Sequence, residues 1–173
     1  ACAASGRDAN SVTLLAVSKT FPADAVREAF AAGARAFGEN YVQDALAKIE
    51  ALADLRAHIR WHLIGPLQSN KTRPVAEAFD WVHTVDRLKI AERLAAQRPP
   101  GLQPLQLCLQ VNISGEASKS GAAPEDDGGA DARGGTASCQ RVAAGAASCV
   151  AVAAQCRAQG RGPERRRGGG RGG

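Results

Sequence analysis

The feature that most constrains this chain is the spacing of its apolar runs. Five short aliphatic stretches, at residues 14–19, 34–39, 59–65, 81–86 and 105–112, begin 20 to 25 residues apart. That is the length of a repeated strand–loop–helix–loop unit, so the first two-thirds of the chain predicts an α/β fold with a parallel sheet. The runs are nearly continuous in apolar residues, as strands are when both sheet faces are covered. Between them the pattern turns helical. Ala25, Val26, Ala29 and Phe30 share one face by 3–4 spacing, as do Val42, Ala45, Leu46, Ile49 and Leu52, and again Leu88, Ala91, Leu94 and Ala95. Pro22 stands where a first helical residue belongs and Gly33 where a left-handed C-terminal cap belongs. Asn40 and Asp86 fit N-cap positions.

Polar and reactive side chains gather just after each strand: Lys19 and Thr20, Glu39 and Asn40, Gln68 to Lys71, Thr84 and Asp86, then Asn112, Ser114, Ser118 and Lys119. In a (β/α) barrel that edge assembles the chemistry, and in a doubly wound sheet it binds the ligand. The period alone does not separate the two folds. Lys19 closes the apolar run Leu14-Leu15-Ala16-Val17-Ser18, a place where partial desolvation is expected. Burial disfavours the charged amine and frees a nucleophile suited to a Schiff base with an aldehyde. The alternative is a lysine that ends a strand and reaches into solvent.

Charge and cysteine content narrow the classes. The 173 residues give one domain room for a core, and the net charge is +5. Residues 1–121 carry 14 Lys and Arg against 12 Asp and Glu, so the basic balance comes from the end of the chain and describes no basic binding face. Five cysteines, an odd count with no C-x-x-C pair, argue against a complete disulfide framework, and a cytoplasmic location is expected. Cys108 reads as a small core residue. His58, His62 and His83 are dispersed and read as structural histidines, with no metal site expected. Trp61 and Trp81 read as packing between strands and helices. No apolar run reaches membrane-spanning length, so no membrane partner is expected.

Five motifs in series carry a resemblance. They are Leu15-Ala16-Val17-Ser18-Lys19-Thr20, Phe37-Gly38-Glu39-Asn40-Tyr41-Val42-Gln43, Trp61-His62-Leu63-Ile64-Gly65-Pro66-Leu67-Gln68-Ser69-Asn70-Lys71, His83-Thr84-Val85-Asp86, and Gln110-Val111-Asn112-Ile113-Ser114 with Ser118-Lys119-Ser120-Gly121. Together they resemble the pyridoxal phosphate homeostasis protein family, whose members look like the N-terminal barrel of alanine racemase standing alone. The resemblance implies a (β/α)8 TIM-type barrel with pyridoxal 5'-phosphate held as a Schiff base on Lys19. It also implies that Asn40, His62 and Asn70 contribute to the cofactor pocket or its rim. It implies a buffer or carrier of vitamin B6 without robust catalysis, with pyridoxal phosphate and PLP-dependent enzymes as partners.

The resemblance covers about residues 6–126, and residues 1–126 are read as a partial barrel of about five βα units. Residues 127–173 differ in kind: from residue 122 onward there is no Leu, Ile, Phe, Tyr, Trp or Lys, and twelve of the nineteen glycines fall there. A disordered Gly/Ala/Arg-rich tail is expected, from a reading frame lost near residues 126–128. The family's phosphate-cradling turns lie in the barrel units that follow, so impaired cofactor binding is expected. Open edges at residues 14–19 and 105–112 are expected as well, with Leu15, Val17, Leu107, Leu109 and Val111 facing a half-built interior. A second function class is single-stranded nucleic-acid binding by the Arg/Gly stretch 161–173, which has no aromatic residue for stacking.

Overall fold

The computed structural model describes residues 2–6, 8, 11–112, 120–122 and 147–154. Strands and helices alternate: β1 (Leu15–Val17), α1 (Ala23–Ala31), β2 (Ala36–Glu39), α2 (Val42–Ala51), β3 (Arg60–Leu63), α3 (Thr72–Ala78), β4 (Trp81–Val85), α4 (Leu88–Gln97), β5 (Leu105–Val111) and β6 (Ala147–Ala154). All five strand pairs are parallel and the spatial order is β1-β2-β3-β4-β5-β6. That order answers the question the period leaves open. A doubly wound sheet reverses direction at a switch point, whereas this one advances one neighbour at a time, as a barrel wall does. The α/β class and the partial (β/α) barrel of the first five units stand.

Local sequence accounts for most boundaries. Gly33 ends α1 at φ 104°, a left-handed conformation that glycine adopts without a Cβ penalty. Pro22 flanks α1 in an extended conformation instead of entering it. Neither Asn40 nor Asp86 is an N-cap. Tyr41 and Arg87 hold those positions without side-chain cap bonds, and Asp86 instead pairs with Arg87 at 3.0 Å.

The core lies between the sheet and its helices. Phe37, Trp61, Leu63, Val82 and Leu107 pack from the strands against Val26, Ala45, Val75, Ala76, Ile90 and Leu94 from the helices. Leu107 therefore belongs to the helix-side core, not to an unfinished interior, and Leu109 and Val111 are buried too. Trp61 packs in this layer as expected. Trp81 does not: in register with His62, it stacks on that ring instead. The opposite sheet face follows the alternation of parallel strands, carrying Val17, Gly38, His62 and Trp81 at one level.

The two edges differ from expectation in one respect. β1 has no further neighbour among the described residues, and Leu14 and Val17 are exposed beside an apolar groove of about 240 Å3 lined by Ala16, Phe21, Ala25 and Ala29. β5, expected to be open, is paired with β6 along its whole length. That pairing places β6, Ala147–Ala154, along the edge of β5. The rest of the expected tail, including the Arg/Gly stretch, lies outside the described residues, as do Ile113, Ser114, Ser118 and Lys119.

Candidate functional site

The C-terminal edge of the sheet carries the residues singled out by sequence. β1 ends two residues early, at Val17, and Ser18 begins a turn. The Ser18 carbonyl accepts from the Phe21 amide at 3.0 Å, so Lys19 and Thr20 are the two central residues of that turn. Lys19 is exposed, which corrects the expected desolvation. The physical reason is its place: it sits past the last paired residue of an edge strand, in a turn open to water.

Asn40 stands at the matching position after β2, since Val17 pairs with Gly38. It is half-buried. A Cβ on Gly65 would collide with the Asn40 carbonyl, so glycine is required there for the backbone after β3 to lie against the backbone after β2. Thr84 then donates to the Gly65 carbonyl at 2.7 Å, drawing in the end of β4. Three strand ends are locked together at this edge.

The other two candidates are placed differently. Asn70 is exposed in the single 3-10 turn Ser69–Lys71 before α3. His62 is buried within β3, in register with Gly38 and so below the edge. Its ring stacks on Trp81 at 5.3 Å between centroids, and its Nδ1 lies 2.9 Å from Nε2 of His83. Burial, with the nearby His83, pushes the His62 pKa down to about 4 against a weaker opposing pull from Asp80. Burial lowers the pKa of His83 as well. Both rings are neutral at neutral pH, so one nitrogen can donate and the other accept in their shared hydrogen bond. Among the described residues no group of three or more His, Cys, Asp or Glu is placed to hold a metal. No helix there is long and apolar enough to cross a membrane. Burial raises the pKa of Cys108, consistent with a core thiol.

A buried polar cluster lies directly beneath Lys19. Glu39 is fully buried, and its Oε1 accepts from Ser18 Oγ at 2.6 Å and from Lys48 Nζ at 2.8 Å. Lys48 Nζ also donates to the Ser18 carbonyl at 2.6 Å. Sequence reasoning missed Lys48. The signal was present, because Lys48 lies three residues after Ala45 and four before Leu52, on the stripe that packs inward.

The opposite end has its own cleft, of about 780 Å3, lined by Arg56, Arg60, Asp80, Arg98 and Gln106. It faces away from Lys19 and holds none of the sequence candidates. Asp80 there is bonded by both Arg56 terminal nitrogens, at 3.0 and 2.8 Å, and by the Trp61 amide at 2.8 Å.

Residues 4–134 match the family described as alanine racemase, N-terminal domain. The chain belongs to that family. Among curated relatives, the pyridoxal phosphate homeostasis protein of Pseudomonas aeruginosa is 70% identical over 126 residues, covering 73% of this chain and 54% of the relative. The protein of the same name from Escherichia coli is 59% identical over 117 residues, covering 67% and 50%. The chain thus spans about half the length of the curated relatives it matches. Among solved structures, PipY of Synechococcus elongatus with PLP bound superposes with a TM-score of 0.62 at 46% identity, covering 72% of this chain and 57% of that one. The same protein without PLP gives 0.64 at 47% identity, covering 72% and 58%.

Proposed function

We propose that this chain is a pyridoxal 5'-phosphate-binding protein of intracellular vitamin B6 homeostasis, and that Lys19 carries the cofactor as a Schiff base. The observation that carries the reading is the placement of Lys19. A lysine amine stands exposed in a turn at the C-terminal sheet edge of an alanine racemase N-terminal-type fold, beside the locked ends of β2, β3 and β4. The donor set fits the group. An accessible amine suits an aldehyde, and condensation forms one C=N bond with release of one water, needing no oxidant or reductant. Bound there, the cofactor would supply a reactive carbonyl and an electron-withdrawing ring. Support also comes from relatives named pyridoxal phosphate homeostasis protein and from PipY solved with PLP bound.

The residues have separate roles. Lys19 binds, Asn40 follows the neighbouring strand end at the matching register, and Asn70, exposed on the loop after β3, serves as a rim contact. His62 supports the wall from below.

The test is reductive trapping with pyridoxal phosphate and borohydride, followed by peptide mapping of the chain and of Lys19→Ala. The expected result is a label concentrated on Lys19 and lost in the variant. Equal labelling of both proteins would end the assignment.

A further inference from the structure

We propose that Glu39 and Lys48 are positioning residues for Lys19, acting through Ser18; the proposal rests on Lys19 being the carbonyl-binding amine. Every polar group of Ser18 is committed. Its amide donates to the Gly38 carbonyl at 3.0 Å and its hydroxyl to Glu39 at 2.6 Å. Its carbonyl accepts from the Phe21 amide at 3.0 Å and from Lys48 Nζ at 2.6 Å. The peptide that joins Ser18 to Lys19 is therefore held from two sides, by the turn above it and by an ammonium group below it. Lys48 reaches this carbonyl from α2, and Glu39 reaches the hydroxyl from β2, so two neighbouring elements hold the residue that precedes Lys19.

The cluster is poorly suited to stability alone. Its ion pair is 12% exposed at Lys48 and 0% at Glu39, where desolvation offsets much of the attraction. Glu39 Oε2 is buried and has no hydrogen-bond partner among the described residues. An apolar plug of the same volume would fill the space without an unsatisfied oxygen. What a plug lacks is direction. A charge-assisted bond to the Ser18 carbonyl fixes the orientation of the turn, and a reacting amine depends on such orientation.

The experiment uses the full 173-residue chain with pyridoxal phosphate and borohydride, reading the ratio of label on Lys19 to label on Lys89, an exposed lysine of α4. The variants are Glu39→Gln, Lys48→Met and Ser18→Ala. Asp80→Ala is the control, since it weakens the fold at the far end of the sheet. The Lys19-to-Lys89 ratio is expected to fall about tenfold in Glu39→Gln and Lys48→Met and to hold in Asp80→Ala. If Lys48→Met does not fold, Glu39→Gln and Ser18→Ala decide, because Gln keeps the shape of Glu and Ser18→Ala keeps both charges. Wild-type ratios in folded Glu39→Gln and Ser18→Ala overturn the positioning role while leaving Lys19 in place. An equal fall in Asp80→Ala overturns it too, by showing a general effect of stability. A wild-type ratio near one sinks Lys19 itself.

Discussion

The two ends of this sheet handle buried charge in opposite ways. At the N-terminal end, Asp80 receives three donors on its two oxygens, and Arg98 beside it donates to the carbonyls of Ala76, Phe79 and Gln103. The contacts there tie the connecting segments around Asp80 and Arg98 to one another and to β3 and α3. At the C-terminal end, Glu39 loads one oxygen with two donors and leaves the second bare. The first arrangement is saturated and partly wet, with Arg56 and Asp80 at 32% and 25% exposure. The second is dry, incomplete and centred on a single turn. In (β/α) folds the C-terminal edge hosts chemistry and the N-terminal edge hosts stability. The polar groups of this chain divide along the same line.

That contrast yields an ordered set of expectations. Lys48→Met carries the largest stability cost, about 3–5 kcal/mol, since it strands the Glu39 carboxylate in the core. Urea denaturation measures it. Acidification comes next. His62 is held at about 4, below its unfolded value of 6.5, so the unfolded chain binds more protons between those values. Its contribution to stability is full above pH 6.5, declines as pH falls toward 4, and levels off below, for a loss of roughly 3 kcal/mol. His62→Phe should flatten most of that slope while keeping a ring against Trp81. A slope unchanged by the substitution would move the acid sensitivity elsewhere.

Asp80→Ala follows, at about 2 kcal/mol, because the site is partly exposed and its donors can be rehydrated. This is the figure most able to break the contrast. Should Asp80→Ala cost more than Lys48→Met, the N-terminal end would hold the more expensive charge, and the division drawn above would reverse.

The sequence disclosed the repeat and concealed the crossings. Apolar runs at a constant interval sufficed for the alternating elements, and motif order sufficed for the family, because both are properties of the linear chain. The sequential strand order emerged only once the strands were paired. Lys19, Asn40 and Asn70 fall after strands and His62 within one, as the apolar runs imply, because residues after a strand share that edge whatever the fold. That His62 lies two register steps below Lys19 and Asn40 is legible only from the pairing. The His62–His83 contact joins positions 21 residues apart, beyond any local pattern. Lys48 was legible in principle as a cation on an inward stripe, yet a long lysine on a helix is ordinarily read as a stem along the surface with its charge in water.

The smallest effect sharpens the contrast by standing outside it. Arg27 and Asp54 form a two-bond ion pair at 2.6 and 2.9 Å that links α1 to the turn after α2, in the helix layer between the two ends. Hydrogen bonding to each other raises the Arg27 pKa and lowers that of Asp54. By geometry alone this pair rivals Arg56–Asp80. The difference is water: the two side chains are 46% and 56% exposed, so their attraction is screened and ordering two long side chains offsets the remainder. Arg27→Ala should therefore leave the urea midpoint where it is at physiological salt, with any difference appearing only at low ionic strength. A midpoint shift comparable to that of Asp80→Ala would show that bond geometry, and not burial, governs charge in this protein, and the distinction between the ends would lose its physical basis.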